Sequence, residues 1–252
     1  MTVRDWDAET YHRVSAPQQA MAREVLDRLE LRGDETVLDA GCGSGRVTRM
    51  LLERLPHGNV IAVDASPEMV DKARRELGED ADVRAADLCE LRLAPGEHVD
   101  AIFSNAVFHW LSDHDALFAA LANALRRGGR LSAQCGGAGN VGALHDQTLA
   151  AAADAGLAGR FAGWEGPWNF AGPQETERRL RAAGFADISC WLEPRPIVPD
   201  EPRVYLETVC LGPHLARLAP DEHERLLDAV MARVGERPTL DYVRLNIVAR
   251  RA

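Results

Sequence analysis

Val37-Leu38-Asp39-Ala40-Gly41-Cys42-Gly43-Ser44-Gly45 is a short apolar run that reaches an acid and then places glycine at alternate positions. Thr36 to Ala40 reads as a buried strand, and the apolar residues Val47, Leu51, Leu52 and Leu55 that follow the glycines recur at helical spacing. A strand that turns through glycines into a helix brings backbone amides and a helix N-terminus to one point, where a ligand can approach closely. The spacing narrows the ligand. A dinucleotide loop would place its third glycine three residues after the second, where this chain has Arg46; here it comes one residue earlier, at Gly45.

Outward from this stretch the chain alternates strands with helices. Met21, Val25, Leu26 and Leu29 predict a helix over residues 21–31, closed by Gly33-Asp34. Val60-Ile61-Ala62-Val63 is a β-branched strand ending at Asp64, and Ser66-Pro67-Glu68 supplies an N-cap, a first-turn proline and a favourable acid for the next helix. Further strands are expected over residues 82–86 and 99–104, then a helix through Leu117, Leu121 and Leu125, ended by Gly128-Gly129 before a strand over 130–135. Beyond lie an alanine-rich helix between glycine-rich loops, a helix over 173–183, a strand over 186–193, helices near 204–211 and 220–234, and a last strand over 241–250. This rhythm predicts an α/β, doubly wound and mostly parallel sheet with ligands at the carboxyl ends of its strands, where Asp39, Asp64, Asp87 and Asn105 fall. Residues 1–252 read as one domain. Residues 21–135 would form its ligand-binding core, and 6–19, 136–172 and 194–240 a helical and loop lid.

Composition excludes several classes. The formal charge is −10 and basic residues occur at most in pairs, so the electrostatic footprint of a nucleic-acid binder is missing. No run of eighteen apolar residues and no export signal is read, which points to a cytoplasmic protein away from membranes. Five widely spaced cysteines without a Cys-x-x-Cys pair fit reduced thiols and no metal site.

Together the motifs resemble those of class I S-adenosylmethionine-dependent methyltransferases. The stretch 37–45 is similar to their first motif and Asp64-Ala65-Ser66-Pro67-Glu68-Met69 to their second. Ala86-Asp87-Leu88, the run Ser104-Asn105-Ala106-Val107-Phe108-His109-Trp110, and Arg127-Gly128-Gly129-Arg130 resemble their later segments. The resemblance implies a seven-stranded Rossmann-like sheet and S-adenosyl-L-methionine as cofactor. Its binding residues would be Asp39, Gly41, Gly43, Gly45, Asp64, Ala65, Met69, Asp87, Leu88 and Asn105. Asp39 and Gly41 would lie near the methionine moiety, Asp64 on the ribose, Met69 on the adenine, and Asp87 with the Leu88 amide at the adenine amino group. Competing structural readings are a plain core methionine at Met69 and a loop-capping acid at Asp87.

The remainder resembles trans-aconitate methyltransferases and, near the N-terminus, juvenile hormone acid methyltransferases. From the latter, Tyr11, Gln18 and Trp110 are expected at the acceptor, with Gln18 and Trp110 binding a carboxylate. Trp164 joins Phe161, Trp168 and Phe170 in an aromatic cluster that gives either an apolar acceptor surface or a small core for the lid. Arg13, Arg160, Arg195 and Arg244 could instead meet a polyacid. Methyl transfer needs alignment above all, and a base only where the acceptor is protonated; His109 is the first candidate catalytic base and His114 the second. The expectation is a small-molecule O-methyltransferase acting on a carboxylate, as monomer or homodimer. Alternatives are N- or C-methylation of a natural-product intermediate, a nicotinamide oxidoreductase, and a non-catalytic protein that binds the cofactor.

Overall fold

Seven strands lie side by side in the order β3-β2-β1-β4-β5-β7-β6 in the computed structural model, which describes residues 16–252. The helix α1 (Ala16–Asp27) leads to β1 (Thr36–Ala40), α2 (Arg46–Leu52), β2 (Asn59–Asp64), α3 (Pro67–Leu77), β3 (Asp82–Ala85) and β4 (Val99–Asn105). Next come α4 (His114–Ala124), β5 (Leu125–Gly136), α5 (Gly142–Asp154), α6 (Pro173–Ala182) and β6 (Phe185–Pro194). The chain ends with α7 (Pro202–Tyr205), α8 (Gly212–Leu215), α9 (Pro220–Val234) and β7 (Val243–Arg251). Strands β1 to β5 pair in parallel, whereas β7 runs antiparallel between β5 and β6. This is the doubly wound, mostly parallel seven-stranded sheet that the sequence predicts.

Strands β1 and β2 are buried at almost every position because helices cover both faces. Leu38, Ile61, Ile102 and Leu131 pack with α4 in one layer, while Val37, Val60 and Phe103 pack with α1 and Leu51 in the other. A third cluster, with Leu144, Phe161, Leu206, Leu226 and Val230, lies in the segments after β5, where a lid is expected, and gives them a core of their own.

Three expectations are corrected. The first helix among the described residues runs Ala16–Asp27 rather than 21–31, and Glu30 at φ 49° turns the chain before Gly33 does. The pair Gly128-Gly129 does not end α4. That helix stops at Ala124, Leu125 already faces Val99 of β4, and the glycines sit in an irregularity within β5 before Arg130 faces Ala101. The stretch near 204–211 is one α turn followed by a π turn over Leu206–Cys210, a local widening often found at functional sites.

Candidate active site

The strand order reverses between β1 and β4, so their carboxyl ends diverge and open a crevice. The register puts Asp39 beside Ala62 and Phe103, and Asn105 beside Gln134. From this crevice a cavity of about 720 Å³ runs up under the lid. That volume lies within the range of about 300–1,000 Å³ usual for small-molecule sites.

The lower end of the cavity is made by backbone. Gly41 adopts φ 90°, and a Cβ there would stand 2.2 Å from Val107, so only glycine lets the loop pass this close to the strand end opposite. Its N–H and that of Cys42 both donate to the Val63 carbonyl, which ties the loop to β2. Asp64 accepts from Gly43 N–H and Ser66 N–H, each at 2.9 Å. Each carboxylate oxygen is thereby oriented and keeps a lone pair for a ligand hydroxyl. Ser66 caps α3 as the sequence predicts, its hydroxyl accepting from Met69 N–H. Gly41, Gly43, Asp64, Ala65, Met69, Leu88 and Asn105 all line the cavity.

Asp39, Gly45 and Asp87 stand behind that wall. Asp39 is 1% exposed and accepts from the Thr48 hydroxyl at 2.7 Å; burial, then the nearby Asp64 charge, raises its pKa to about 7. Gly45 begins α2 at φ 85°, where Leu77 of α3 packs against it. Asp87 is exposed and accepts from Cys89 N–H at 2.9 Å, which closes its own turn.

At the upper end, His109 sits on a 3-10 turn over Phe108–Trp110, entered through Ala106 at φ 63°. A non-glycine residue in that region is strained, and the Ala106 N–H bond to the Gln134 carbonyl helps hold it there. His109 is 7% exposed and its Nδ1 accepts from Gly136 N–H at 3.2 Å. Burial, with Arg244 and His114 nearby, lowers its pKa well below the ordinary value. The ring is therefore neutral with its proton on Nε2, a donor rather than a base. The second candidate, His114, turns Nε2 to the Phe108 carbonyl at 2.9 Å and does not line the cavity.

Arg244, 4% exposed on β7, is the sole Lys or Arg among the described residues lining the cavity. Of the other arginines singled out, Arg160 pairs with Glu222 at 3.1 Å and Arg195 with Glu24 and Glu193 at 2.5 and 2.8 Å, away from the cavity. Trp110, Trp164, Trp168 and Phe170 line the upper end, Trp168 and Phe170 nearly parallel at 9° with centroids 5.6 Å apart. Phe161 instead packs in the hydrophobic cluster formed by the segments after β5. Tyr11 and Arg13 fall outside the described residues; Gln18 lies on α1, but its side chain is outside them too.

Several lining residues escaped the sequence reading. Val209 and Cys210 come from the π turn, Pro213 from α8, and Tyr242 from the approach to β7. Tyr242 shares a hydroxyl contact of 3.0 Å with Tyr205. No local spacing marks these positions, since their neighbours in space are distant in sequence.

The fold and the glycine-acid cradle define a class. A methyltransferase-domain family model matches residues 37–129. The trans-aconitate 2-methyltransferase of Deinococcus radiodurans is 30% identical over 98% of both chains. The chain belongs to the class I S-adenosylmethionine-dependent methyltransferases, and S-adenosylmethionine is its cofactor. Among individual relatives, the trans-aconitate 2-methyltransferase of Azoarcus sp. is 41% identical, but over 51% of this chain and 50% of that protein, so the match spans about half of that relative. Phosphoethanolamine N-methyltransferase 2 of Haemonchus contortus, solved with phosphomonomethylethanolamine and S-adenosylhomocysteine, shares the fold. Its TM-score is 0.61 at 18% identity, covering 96% of this chain and 56% of that one. Among the described residues no helix is long and apolar enough to cross a membrane.

Proposed function

We propose that the protein methylates a carboxylate oxygen of a small-molecule acceptor. The bound cofactor supplies a methyl group on a sulfonium, and an attacking carboxylate oxygen would form the O–CH3 bond as the S–CH3 bond breaks, leaving a neutral ester and a thioether with no proton to remove. The observation that carries the reading is the pairing of Arg244 with a neutral, proton-donating His109 in one cavity. A guanidinium favours an anionic acceptor, and a ring whose Nδ1 already accepts from Gly136 cannot take a proton from a hydroxyl or an ammonium without breaking that arrangement. A carboxylate, ionised above a pKa of about 4, needs no base. The remaining task is alignment, to which Trp110 and, by family resemblance, Gln18 would contribute N–H donors. The aconitate-methylating relatives support the same acceptor chemistry.

The test is a pH-rate profile with a responsive acid, repeated for Arg244→Gln, His109→Ala and Gln18→Ala. Activity is expected to stay flat from about pH 6 to about 8. Arg244→Gln should lose roughly tenfold or more, since a hydrogen bond to a charged group contributes about 1.5–3 kcal/mol. Gln18→Ala should also lose activity, while His109→Ala leaves the chemical step largely intact. A rate that collapses in His109→Ala while Arg244→Gln stays active points to a base-activated acceptor and overturns the proposal.

A further inference from the structure

We infer that the acceptor is a monocarboxylic acid with a planar, apolar body, rather than a di- or tricarboxylate. This rests on the carboxylate reading above and goes beyond it by naming the rest of the molecule. The upper cavity carries one guanidinium, Arg244, among its described lining residues, and its only acid, Asp64, lies at the cofactor end. The same cavity is lined by the aromatic rings of Trp164, Trp168 and Phe170 and by Val209, Pro213 and Ala216, which come from the π turn, α8 and the residue after it. Trp168 and Phe170 are nearly parallel at 9°, and His109 lies 25° from Phe170 with centroids 5.8 Å apart, so the rings form a stacked aromatic run. Such a surface favours a flat apolar group, and for a second or third carboxylate the described lining residues hold no further cation, only neutral groups such as Asn140 and Tyr242.

The run is also held from behind. Trp164 meets the edge of His214 at 4.8 Å, and His214, 2% exposed, shares its Nε2 with His145 Nδ1 at 3.1 Å. Arg217 covers Trp164 from another side, its guanidinium carbon 5.2 Å from the ring centroid. A half-buried, braced aromatic wall is a preformed surface, and a preformed surface selects shape.

The experiment uses the full chain with S-adenosylmethionine and four probes: trans-cinnamate, trans-aconitate, cinnamyl alcohol and cinnamylamine. Methylated products are identified by mass spectrometry, and binding of each probe to the S-adenosylhomocysteine-loaded protein is followed by calorimetry. Cinnamate is expected to bind and to be turned over with kcat/KM at least about a hundredfold above aconitate, and Trp168→Ala to raise its KM about tenfold with the S-adenosylhomocysteine Kd unchanged. Aconitate preferred over cinnamate overturns the monoacid inference and leaves carboxylate methylation standing. Methylation of the alcohol or amine, with neither acid turned over, overturns both. Failure of cinnamate to bind the loaded protein overturns the inference whatever the turnover.

Discussion

The two ends of the cavity are built differently. The end proposed for the cofactor is a few consecutive residues at each of three neighbouring strand ends: a glycine loop after β1, Asp64 at the end of β2 with its turn, and Asn105 at the end of β4. Its shape comes from backbone geometry, with Gly41 against Val107 and Asp64 bonded to two amides. The acceptor end is assembled from side chains on a 3-10 turn, the loop after α5, a π turn, α8 and the start of β7. Backbone geometry tolerates little change and serves one ligand, whereas a side-chain wall can be altered without disturbing the sheet below.

Breaking the cofactor end should have the largest effect. Gly41→Ala forces a Cβ into Val107 at a positive φ, and unfolding experiments in urea should show a loss of about 2–4 kcal/mol together with lost S-adenosylhomocysteine binding. Normal stability and binding would show that the loop has room to shift, and the contrast between the two ends would fail. Asp64→Ala should weaken S-adenosylhomocysteine by about 1–3 kcal/mol, roughly 5- to 150-fold in Kd by calorimetry. An unchanged constant would mean that Asp64 only braces its own loop.

The acceptor end makes the opposite demand. Trp164→Ala should cost about 1–3 kcal/mol of stability, because the ring packs against the lid core, yet leave the S-adenosylhomocysteine Kd within about twofold. A large loss of cofactor affinity would show that the two ends are one unit.

Acid should act on the histidines first. His109, His114, His145 and His214 all have pKa values lowered by burial, His214 to about 3, so below about pH 6.5 the unfolded chain binds more protons than the folded one and stability falls with pH. Asp39, raised to about 7, works in the other sense: its penalty shrinks as pH falls from 7 towards its ordinary value. Four histidines outweigh one acid, and Tm should drop by about 4 °C or more between about pH 6.5 and 5. A Tm that holds or rises over that interval would show Asp39 to dominate. The smallest effect belongs to Asp87→Ala, expected to change stability by less than about 1 kcal/mol, since the exposed side chain closes only its own turn.

By itself the sequence determined the sheet, the crevice at its strand ends and most of the residues that line the lower end of the cavity there. Strand periodicity, the glycines at 41, 43 and 45, and the cap at Ser66 are local signals, each carried by residues adjacent in the chain. Local signals failed where long-range pairing overrode them. Gly128-Gly129 reads as a helix stop, but Leu125 is already paired to Val99, and the irregularity that absorbs the glycines exists only between two strands. Tertiary structure alone decided the direction each acid faces: Asp39 and Asp64 both end apolar strands, yet Thr48 holds one inside while two loop amides present the other to the cavity. It also decided the state of His109, because the amide that occupies Nδ1 belongs to Gly136, 27 residues away. The acceptor wall has the same origin: Arg244 and Trp164 meet one cavity only because β7 inserts between β5 and β6 and the lid folds over their ends, and contacts closed over such distances leave no periodic trace in the chain.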